Sequence, residues 1–238
     1  DGGFANKFNA NVEKAARGIS KNISSSEIKS RLDLRNTPTF TIDPEDAKDF
    51  DDALSLQRLN NGNWEVGIHI ADVSHYLQPG TILDKEAFDR ATSVYLVDRT
   101  IPMLPEVLSN KLCSLRPNEE KFCFSAVFEI DNEAKVQKEW FGRTTIHSDR
   151  RFTYEEAQER IETGEGDLAS EINMLNKLAL KLRKRRFSKG GIDFNTEEVR
   201  FKLDEKGKPI SVYIKEMKEA NKLIEDFMLL ANTRVASF

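Results

Sequence analysis

The chain has 238 residues, of which 39% are hydrophobic and 32% charged, so it is long enough and apolar enough to fold around its own core. It has no apolar run near the roughly 20 residues that cross a bilayer, which argues against membrane insertion. Its net charge of −4 argues against gripping nucleic acid by overall charge alone.

The first third of the chain predicts a tail and then the first strands of a sheet. Residues 1–30 are predicted to be a linker or tail from an upstream domain, with a short helix starting at the capping-box pattern Ser24-x-x-Glu27. A strand is expected at 39–42. Residues 53–59 and 64–70 flank an Asn-Asn-Gly-Asn turn, and the second run alternates in polarity. This pattern predicts a β-hairpin.

The middle of the chain predicts further strands. Residues 84–92 resemble a helix, and the proline-rich stretch 101–105 predicts a fixed loop. Two strands are expected at 122–130 and 135–146, joined by a turn at Asp131-Asn132. Consecutive strands joined by short turns predict a largely antiparallel sheet.

The last third predicts helices. Thr153-x-x-Glu156 is a second capping-box pattern, and a long helix is expected from 167 to 188, ending at Gly190-Gly191. Two strands flank residues 204–207, and apolar residues repeat at helical spacing over 219–238. No residue that would end this helix follows, so we expect the chain to stop inside its domain. The whole pattern predicts an α+β fold with a mixed, mainly antiparallel sheet flanked by helices.

The most unusual feature is the run TIDPEDAKDFDDA at residues 41–53. It holds six carboxylates, which only Lys48 offsets locally. Crowded ionised carboxylates repel and raise one another's pKa, so a folded protein keeps them together mainly where a multivalent cation is bound. Oxygen donors without histidine or cysteine suit hard cations such as Mg²⁺ or Mn²⁺.

Two other interpretations of this run were considered. An EF-hand is excluded because Ala47 occupies a ligand position, Lys48 the required glycine and Leu54 the twelfth position. Magnesium held by carboxylates most often serves phosphate chemistry, which favours phosphodiester hydrolysis. A solvated acidic loop, or aspartates that cap a helix, stays open on composition alone.

The same run, together with IADVSHYL, TSVYL, IPMLPEVLSNKLCSL and GGIDF, resembles the ribonuclease II and ribonuclease R family of 3′-to-5′ exoribonucleases, and ribonuclease R more closely. The resemblance implies that residues 31–238 are the N-terminal part of the catalytic domain. It also implies processive, Mg²⁺-dependent hydrolysis of single-stranded RNA to 5′-nucleoside monophosphates, with Mn²⁺ as a substitute metal. The alternative is a non-catalytic RNA-binding or regulatory relative, which would have no reason to keep four crowded acids.

By this resemblance Asp43, Asp49, Asp51 and Asp52 are the catalytic and metal-binding residues. Asp43 and Asp52 would hold Mg²⁺, and Asp51 would bind a second ion or orient the attacking water. Asp49 would support the site. Asp46 is a weaker candidate, since a turn-forming role beside Pro44 is equally consistent with its position.

The resemblance also implies RNA contacts. Tyr95 and Phe194 would stack against the last bases, a contact that ignores base identity. Glu225 would hydrogen-bond ribose hydroxyls, with Asp226 as the neighbour that the alignment could confuse with it. The basic run from Lys181 to Lys189 could steer phosphates, but a solvated helix face is the favoured interpretation.

The remaining candidate residues are interpreted as structural. His69 and His75 are not spaced as metal ligands, and Cys113 and Cys123, without CxxC spacing, are predicted to be buried thiols. Asp72 is either an outer contact of the site or, more in keeping with the end of a strand, a turn or helix cap.

The resemblance also implies parts that are absent from these 238 residues. Cold-shock and S1 RNA-binding domains are expected in the full-length chain, and so is a later arginine that contacts the scissile phosphate. We therefore expect the isolated chain to be weakened or inactive in catalysis. A monomeric protein is predicted, and a cytoplasmic one because residues 1–18 lack a secretion signal.

Overall fold

The computed structural model describes residues 5–191, 198–205 and 207–238. The chain divides into two compact units. Unit 1 comprises Asp1–Asn22, Val73–Ser114 and Phe194–Glu216, and unit 2 comprises Ile23–Asp72, Leu115–Asp193 and Met217–Phe238.

The described residues form helices and strands that are mixed along the chain without a regular repeat. The helices are α1 Ala10–Arg17, α2 Ser25–Lys29, α3 Val73–Tyr76, α4 Ile82–Arg90, α5 Tyr154–Thr163, α6 Ala169–Ser188 and α7 Glu219–Ser237, with a π-helical turn at Leu108–Leu112. The strands are β1 Leu32–Asp33, β2 Thr39–Asp43, β3 Asp52–Arg58, β4 Trp64–Ala71, β5 Val94–Tyr95, β6 Thr100–Ile101, β7 Glu119–Ile130, β8 Val136–Ser148, β9 Arg150–Thr153, β10 Glu198–Leu203 and β11 Pro209–Lys215.

Unit 2 is built on a seven-stranded sheet in the order β1-β8-β7-β4-β3-β2-β9. The two outer pairs, β1 with β8 and β2 with β9, are parallel, and the other pairs are antiparallel. The predicted mixed, mainly antiparallel α+β fold is confirmed. The predicted hairpin is also confirmed, with Leu54 opposite Ile68 and Gly62 at φ +87° in the turn, a backbone conformation that favours glycine.

The core of unit 2 brings together side chains from the sheet and from α5, α6 and α7. Phe40 and Phe152 meet edge to face at 5.7 Å between ring centroids. The Thr153–Glu156 capping box starts α5, as its spacing predicted, and Gly164 ends the helix in the left-handed conformation. The fully buried residues of this core include Phe40, Leu54, Phe128, Phe152, Ile172, Leu175, Leu223 and Phe227.

The predicted long helix is confirmed as α6, but its basic run is not simply a solvated face. Lys181 and Arg185 donate to backbone carbonyls of the β7–β8 turn at 2.6–3.0 Å. Arg183 and Arg186 pair with acidic residues of α7. The run therefore fixes α6 to its neighbours, because each of these long side chains meets an acceptor supplied by a distant segment.

A polar row crosses the centre of the sheet. The buried imidazole of His69 contacts Ser55 Oγ at 2.9 Å and Ser125 Oγ at 2.7 Å, and Ser125 contacts Thr144 Oγ1 at 2.6 Å. Burial lowers the pKa of His69 to about 3, so the ring is neutral. A Cβ on Gly67 would lie 2.5 Å from His69 Nε2, and only glycine leaves room for the ring. The structural interpretation of His69 is confirmed.

Unit 1 contains a helix where the sequence had indicated a tail. In α1, Val12 and Ala16 are buried and α1 packs against α4. The Arg90 guanidinium lies 3.8 Å from the Phe8 ring centroid. Two apolar residues four positions apart are enough for this short helix to pack on α4. So few apolar positions give only weak periodicity, and the sequence therefore did not predict the helix. The boundary predicted at residue 30 stays a prediction.

Unit 1 also contains the second predicted pair of strands and one of the two cysteines. The two strands predicted around residues 204–207 are confirmed as the β10–β11 hairpin. Cys113 in this unit and Cys123 in unit 2 are buried free thiols. Within the described ranges, no helix combines the length and the apolar character needed to cross a bilayer.

Candidate active site

The acidic run lies at one end of the sheet of unit 2. β2 ends at Asp43 and the adjacent antiparallel strand β3 begins at Asp52, so the loop between them returns to the same edge. Asp43 also pairs with Thr153 on the parallel strand β9. We call Asp43, Asp49, Asp51 and Asp52 the four-aspartate group.

Asp43 is the most buried member of the group, with 8% of its surface exposed. Its Oδ2 is buried without a hydrogen-bond partner. Burial raises the pKa of Asp43 to about 7, and the negative charges of Asp52 and Asp51 act in the same direction. The Thr41 hydroxyl, which lies nearby but outside hydrogen-bonding geometry, and the Arg151 guanidinium offset part of this rise in pKa.

The other members of the group also influence one another. Burial, followed by the charge of Asp51, raises the pKa of Asp52 to about 6. Asp51 is partly exposed, yet its pKa is also raised. The larger cause is desolvation of its carboxyl group, and the smaller cause is the negative charge of Asp49. Asp43, Asp51 and Asp52 therefore each have another member of the group as an electrostatic neighbour whose negative charge raises their pKa.

The donor set fits a hard cation, although it does not form a closed cage. In the part of the chain that the structure describes, no three Asp, Glu, His or Cys side chains converge tightly enough to hold a metal ion. Magnesium keeps several of its waters and is usually bound by only one or two carboxylates together with substrate phosphates. The unpartnered Oδ2 of Asp43 and the raised pKa values of its neighbours suit such an open site.

Two residues that the sequence did not single out lie beside this group. Tyr154, the first residue of α5, has its pKa raised to about 12 by burial and by the charges of Asp52 and Asp43. Arg151 on β9 donates from Nη2 to the carbonyls of Pro44 and Glu45, the latter at 3.0 Å. The capping box next to them was visible in the sequence, but only the pairing of β9 with β2 brings it to Asp43.

The predicted RNA-contacting residues are spread more widely. Tyr95 lies on β5 in unit 1 and is 68% exposed, and Phe194 is outside the described residues. Glu225 lies on α7 in unit 2, has a side chain that is 50% exposed, and pairs with Arg186 at 3.3 Å. The neighbouring Asp226 is 2% exposed and pairs with Arg183 at 2.8 Å. Of the two acids, only Glu225 is accessible to a ligand.

The remaining polar candidates have simpler surroundings. Asp72 directly precedes α3, the position favoured for it as a helix cap, and its buried carboxylate also forms an ion pair with Arg31 at 2.8 Å. Asp46 is exposed at the third position of a turn that the Ala47 N–H bond to the Pro44 carbonyl closes at 3.1 Å. His75 lies on α3 with its ring against Tyr76.

The mainly antiparallel sheet flanked by helices, with crowded carboxylates where two of its strands meet, defines an α+β domain with an acidic site at one end of its sheet. The RNB domain family model matches residues 31–238, and the chain belongs to this family.

Named relatives support the same assignment. The chain is 48% identical to DIS3-like exonuclease 2 of Schizosaccharomyces pombe, over 90% of this chain and 25% of that protein. It is 41% identical to Ribonuclease R 1 of Lactococcus lactis, over 98% of this chain and 29% of that protein. The structure of Mycoplasma genitalium RNase R in complex with ribose-methylated single-stranded RNA matches at a TM-score of 0.89 and 29% identity, over 97% of this chain and 36% of that one. The chain thus spans about a quarter of the length of these curated relatives.

Proposed function

We propose that this chain supplies the carboxylate half of an exoribonuclease active site. The complete protein that contains it would hydrolyse single-stranded RNA processively from the 3′ end, with Mg²⁺ or Mn²⁺, and release 5′-nucleoside monophosphates. The single observation that carries this proposal is the four-aspartate group in an RNB domain, with three raised pKa values and an unpartnered oxygen on Asp43.

Each aspartate would have a separate task. Asp43 and Asp52, whose pKa values burial raises to about 7 and about 6, would hold the cation, with Asp49 in support. Bound Mg²⁺ would neutralise these carboxylates and polarise the phosphodiester. Asp51 is partly exposed and has a raised pKa, so it is a stronger base than an ordinary aspartate and suited to orienting the attacking water.

Substrate contacts would come from outside this group. The exposed ring of Tyr95 offers a surface on which a base can stack, which contributes about 1–3 kcal/mol per base without regard to sequence. The half-exposed carboxylate of Glu225 can accept a hydrogen bond from a ribose hydroxyl, which DNA lacks at the 2′ position. Phe194 stays a prediction of the sequence for a second stacking ring.

The test compares the complete protein with this 238-residue chain on single-stranded RNA labelled at the 3′ or the 5′ end, with Mg²⁺ or EDTA. We expect 3′-labelled RNA to release labelled mononucleotide at once, with Mg²⁺ and from the complete protein. Asp51→Asn should bind RNA normally and cleave at least about 100-fold more slowly, as expected when a positioned acid–base group is lost.

Glu45→Gln is the matched control, because Glu45 is an exposed carboxylate of the same loop. It should cleave at the wild-type rate. RNA binding by the complete protein with no cleavage in either metal would instead favour the non-catalytic relative, and cleavage that survives EDTA would contradict a metal-dependent site.

A further inference from the structure

The parallel strand β9 delivers Arg151 to the acidic site. Arg151 pairs with Thr41 on β2, and two residues on Thr153 pairs with Asp43. Side chains alternate along a strand, so Arg151 lies on the opposite face from Phe152, which packs in the core. Register and alternation together direct the Arg151 side chain towards the loop that follows Asp43.

The guanidinium of Arg151 contacts both arms of this loop, residues 44–50. Its Nη2 donates to the carbonyls of Pro44 and Glu45 in the first arm. Its central carbon lies 5.4 Å from the ring centroid of Phe50 in the second arm. One side chain therefore bridges the start and the end of the segment that carries Asp49 and leads into Asp51.

The second arm has further anchors in the backbone. The Phe50 carbonyl accepts from the Leu115 N–H at 2.8 Å, and the Asp51 carbonyl accepts from the Ala71 N–H at 2.9 Å. These bonds fix the return of the chain into β3. In the first arm, the hydrogen bonds from Arg151 to two successive carbonyls fix the chain in the same way. The positive charge of Arg151 also opposes the repulsion among the acids of the loop.

Arg151 also keeps its Nε–H buried without a hydrogen-bond partner. An arginine placed only to satisfy its own hydrogen-bond donors would not leave its Nε–H buried without an acceptor. Its position is instead set by the loop carbonyls that it holds.

We propose that Arg151 is a positioning residue of the acidic site, which holds loop 44–50 so that Asp43 and the aspartates from 49 to 52 keep the spacing that a cation requires. The part of this inference that concerns the cation rests on the function proposed above. The part that concerns the loop does not.

The first test measures amide hydrogen exchange of the full chain in Arg151→Gln, Arg151→Lys and the matched control Arg150→Gln. Arg150 is the adjacent arginine; its guanidinium pairs with Asp167 and Glu156 and donates to the Arg151 carbonyl at 2.6 Å, so these contacts lie outside loop 44–50. We expect the Ala47 amide, which is bonded to the Pro44 carbonyl, to exchange about 10- to 100-fold faster in Arg151→Gln. Arg151→Lys should restore part of the protection, and Arg150→Gln should leave Ala47 unchanged.

Amides of the β3–β4 ladder must stay protected in each variant, which separates loop opening from unfolding. If Arg151→Gln unfolds, the Arg151→Lys comparison decides in its place. The inference would be overturned if Ala47 kept wild-type protection in a folded Arg151→Gln chain. If Arg151→Gln does not fold, wild-type protection of Ala47 in Arg151→Lys would overturn it.

The second test titrates Mn²⁺ and follows binding by electron paramagnetic resonance, which needs no RNA and no catalysis. Arg151→Gln should weaken binding about tenfold, and Arg150→Gln should not. Equal Mn²⁺ affinity of wild type and Arg151→Gln would refute the role of Arg151 in the site. Failure of the wild type itself to bind Mn²⁺ would refute the proposed function, while the exchange experiment would still decide the role of Arg151 in the loop.

Discussion

At pH 8, replacing Asp43 by Asn should stabilise unit 2 in the absence of divalent cations and should remove the stabilisation that Mg²⁺ gives to wild type. The carboxyl group of Asp43 is buried, and its pKa rises from 3.8 to about 7. At pH 8 it is ionised in both the folded and the unfolded chain, so folding carries the whole cost of burying its charge. At pH 5 it is protonated in the folded chain, and most of that cost is absent.

The size of the effect follows from the pKa. A rise from 3.8 to about 7, at about 1.36 kcal/mol per pKa unit, corresponds to about 4 kcal/mol at pH 8. Asn leaves a buried amide that is imperfectly hydrogen-bonded, which costs about 1–3 kcal/mol. We therefore expect Asp43→Asn to raise the free energy of unfolding by about 1–3 kcal/mol at pH 8 in EDTA. At pH 5 the variant should be equal to wild type or less stable.

Urea unfolding followed by tryptophan fluorescence measures this difference in the relevant unit, because Trp64 and Trp140, the two tryptophans of the chain, both lie in unit 2. Asp43→Asn, wild type and the control Glu45→Gln would be compared at pH 5 and pH 8. Each would be measured with EDTA and with about 10 mM Mg²⁺, a concentration high enough for a weakly bound ligand to stabilise the folded chain. Mg²⁺ should stabilise wild type and Glu45→Gln but not Asp43→Asn. A variant less stable than wild type at pH 8 in EDTA would refute the reasoning.

Three further predictions use the same unfolding assay. Gly67→Ala should lower the free energy of unfolding by about 2–4 kcal/mol, because its Cβ would lie 2.3 Å from Ser55 Oγ in the buried polar row; Gly142→Ala, whose Cβ would meet only the half-exposed Trp140 ring, should cost less than about 1 kcal/mol. Arg183→Met should cost about 3 kcal/mol because it removes a partner of a buried acid on α7, whereas Lys181→Met, which breaks an exposed pair, should stay within about 1 kcal/mol. In EDTA, Asp43, Asp51 and Asp52 should make wild type less stable as pH rises from about 4 to about 7, since the folded chain binds protons there that the unfolded chain has already released. Equal costs within either pair of variants, or stability that rises through that pH window because of these groups, would contradict the corresponding prediction.

Features written in a few consecutive residues were predictable from the sequence. The β3–β4 hairpin follows from alternation around a glycine-containing turn, and α5 follows from its capping box. The run of six carboxylates was recognisable because repulsion among nearby carboxylates favours a bound cation, and the family resemblance selected Asp43, Asp49, Asp51 and Asp52 from it. The family resemblance added roles for these aspartates, for Tyr95, Phe194 and Glu225, and for domains outside the chain, and these roles stay predictions.

Features that depend on pairing between distant segments were not predictable. The basic run of α6 looked solvated because its acceptors lie on the β7–β8 turn and on α7. The ion pair of Asp72 was not predicted because its partner, Arg31, lies 41 positions earlier in the chain. The helix α1 was missed because its burial comes from α4.

The acidic site shows the same division most clearly. The residue types between positions 43 and 52 already show that six carboxylates are crowded there, with oxygen donors alone available for a cation. Only the tertiary structure decided which carboxylate is buried, and which residues meet it. The parallel pairing of β9 with β2 brings Arg151 and Tyr154, about 100 residues away in sequence, beside Asp43. Strand register depends on tertiary packing, such as that of Phe40 against Phe152, and no local signal in the sequence reports it.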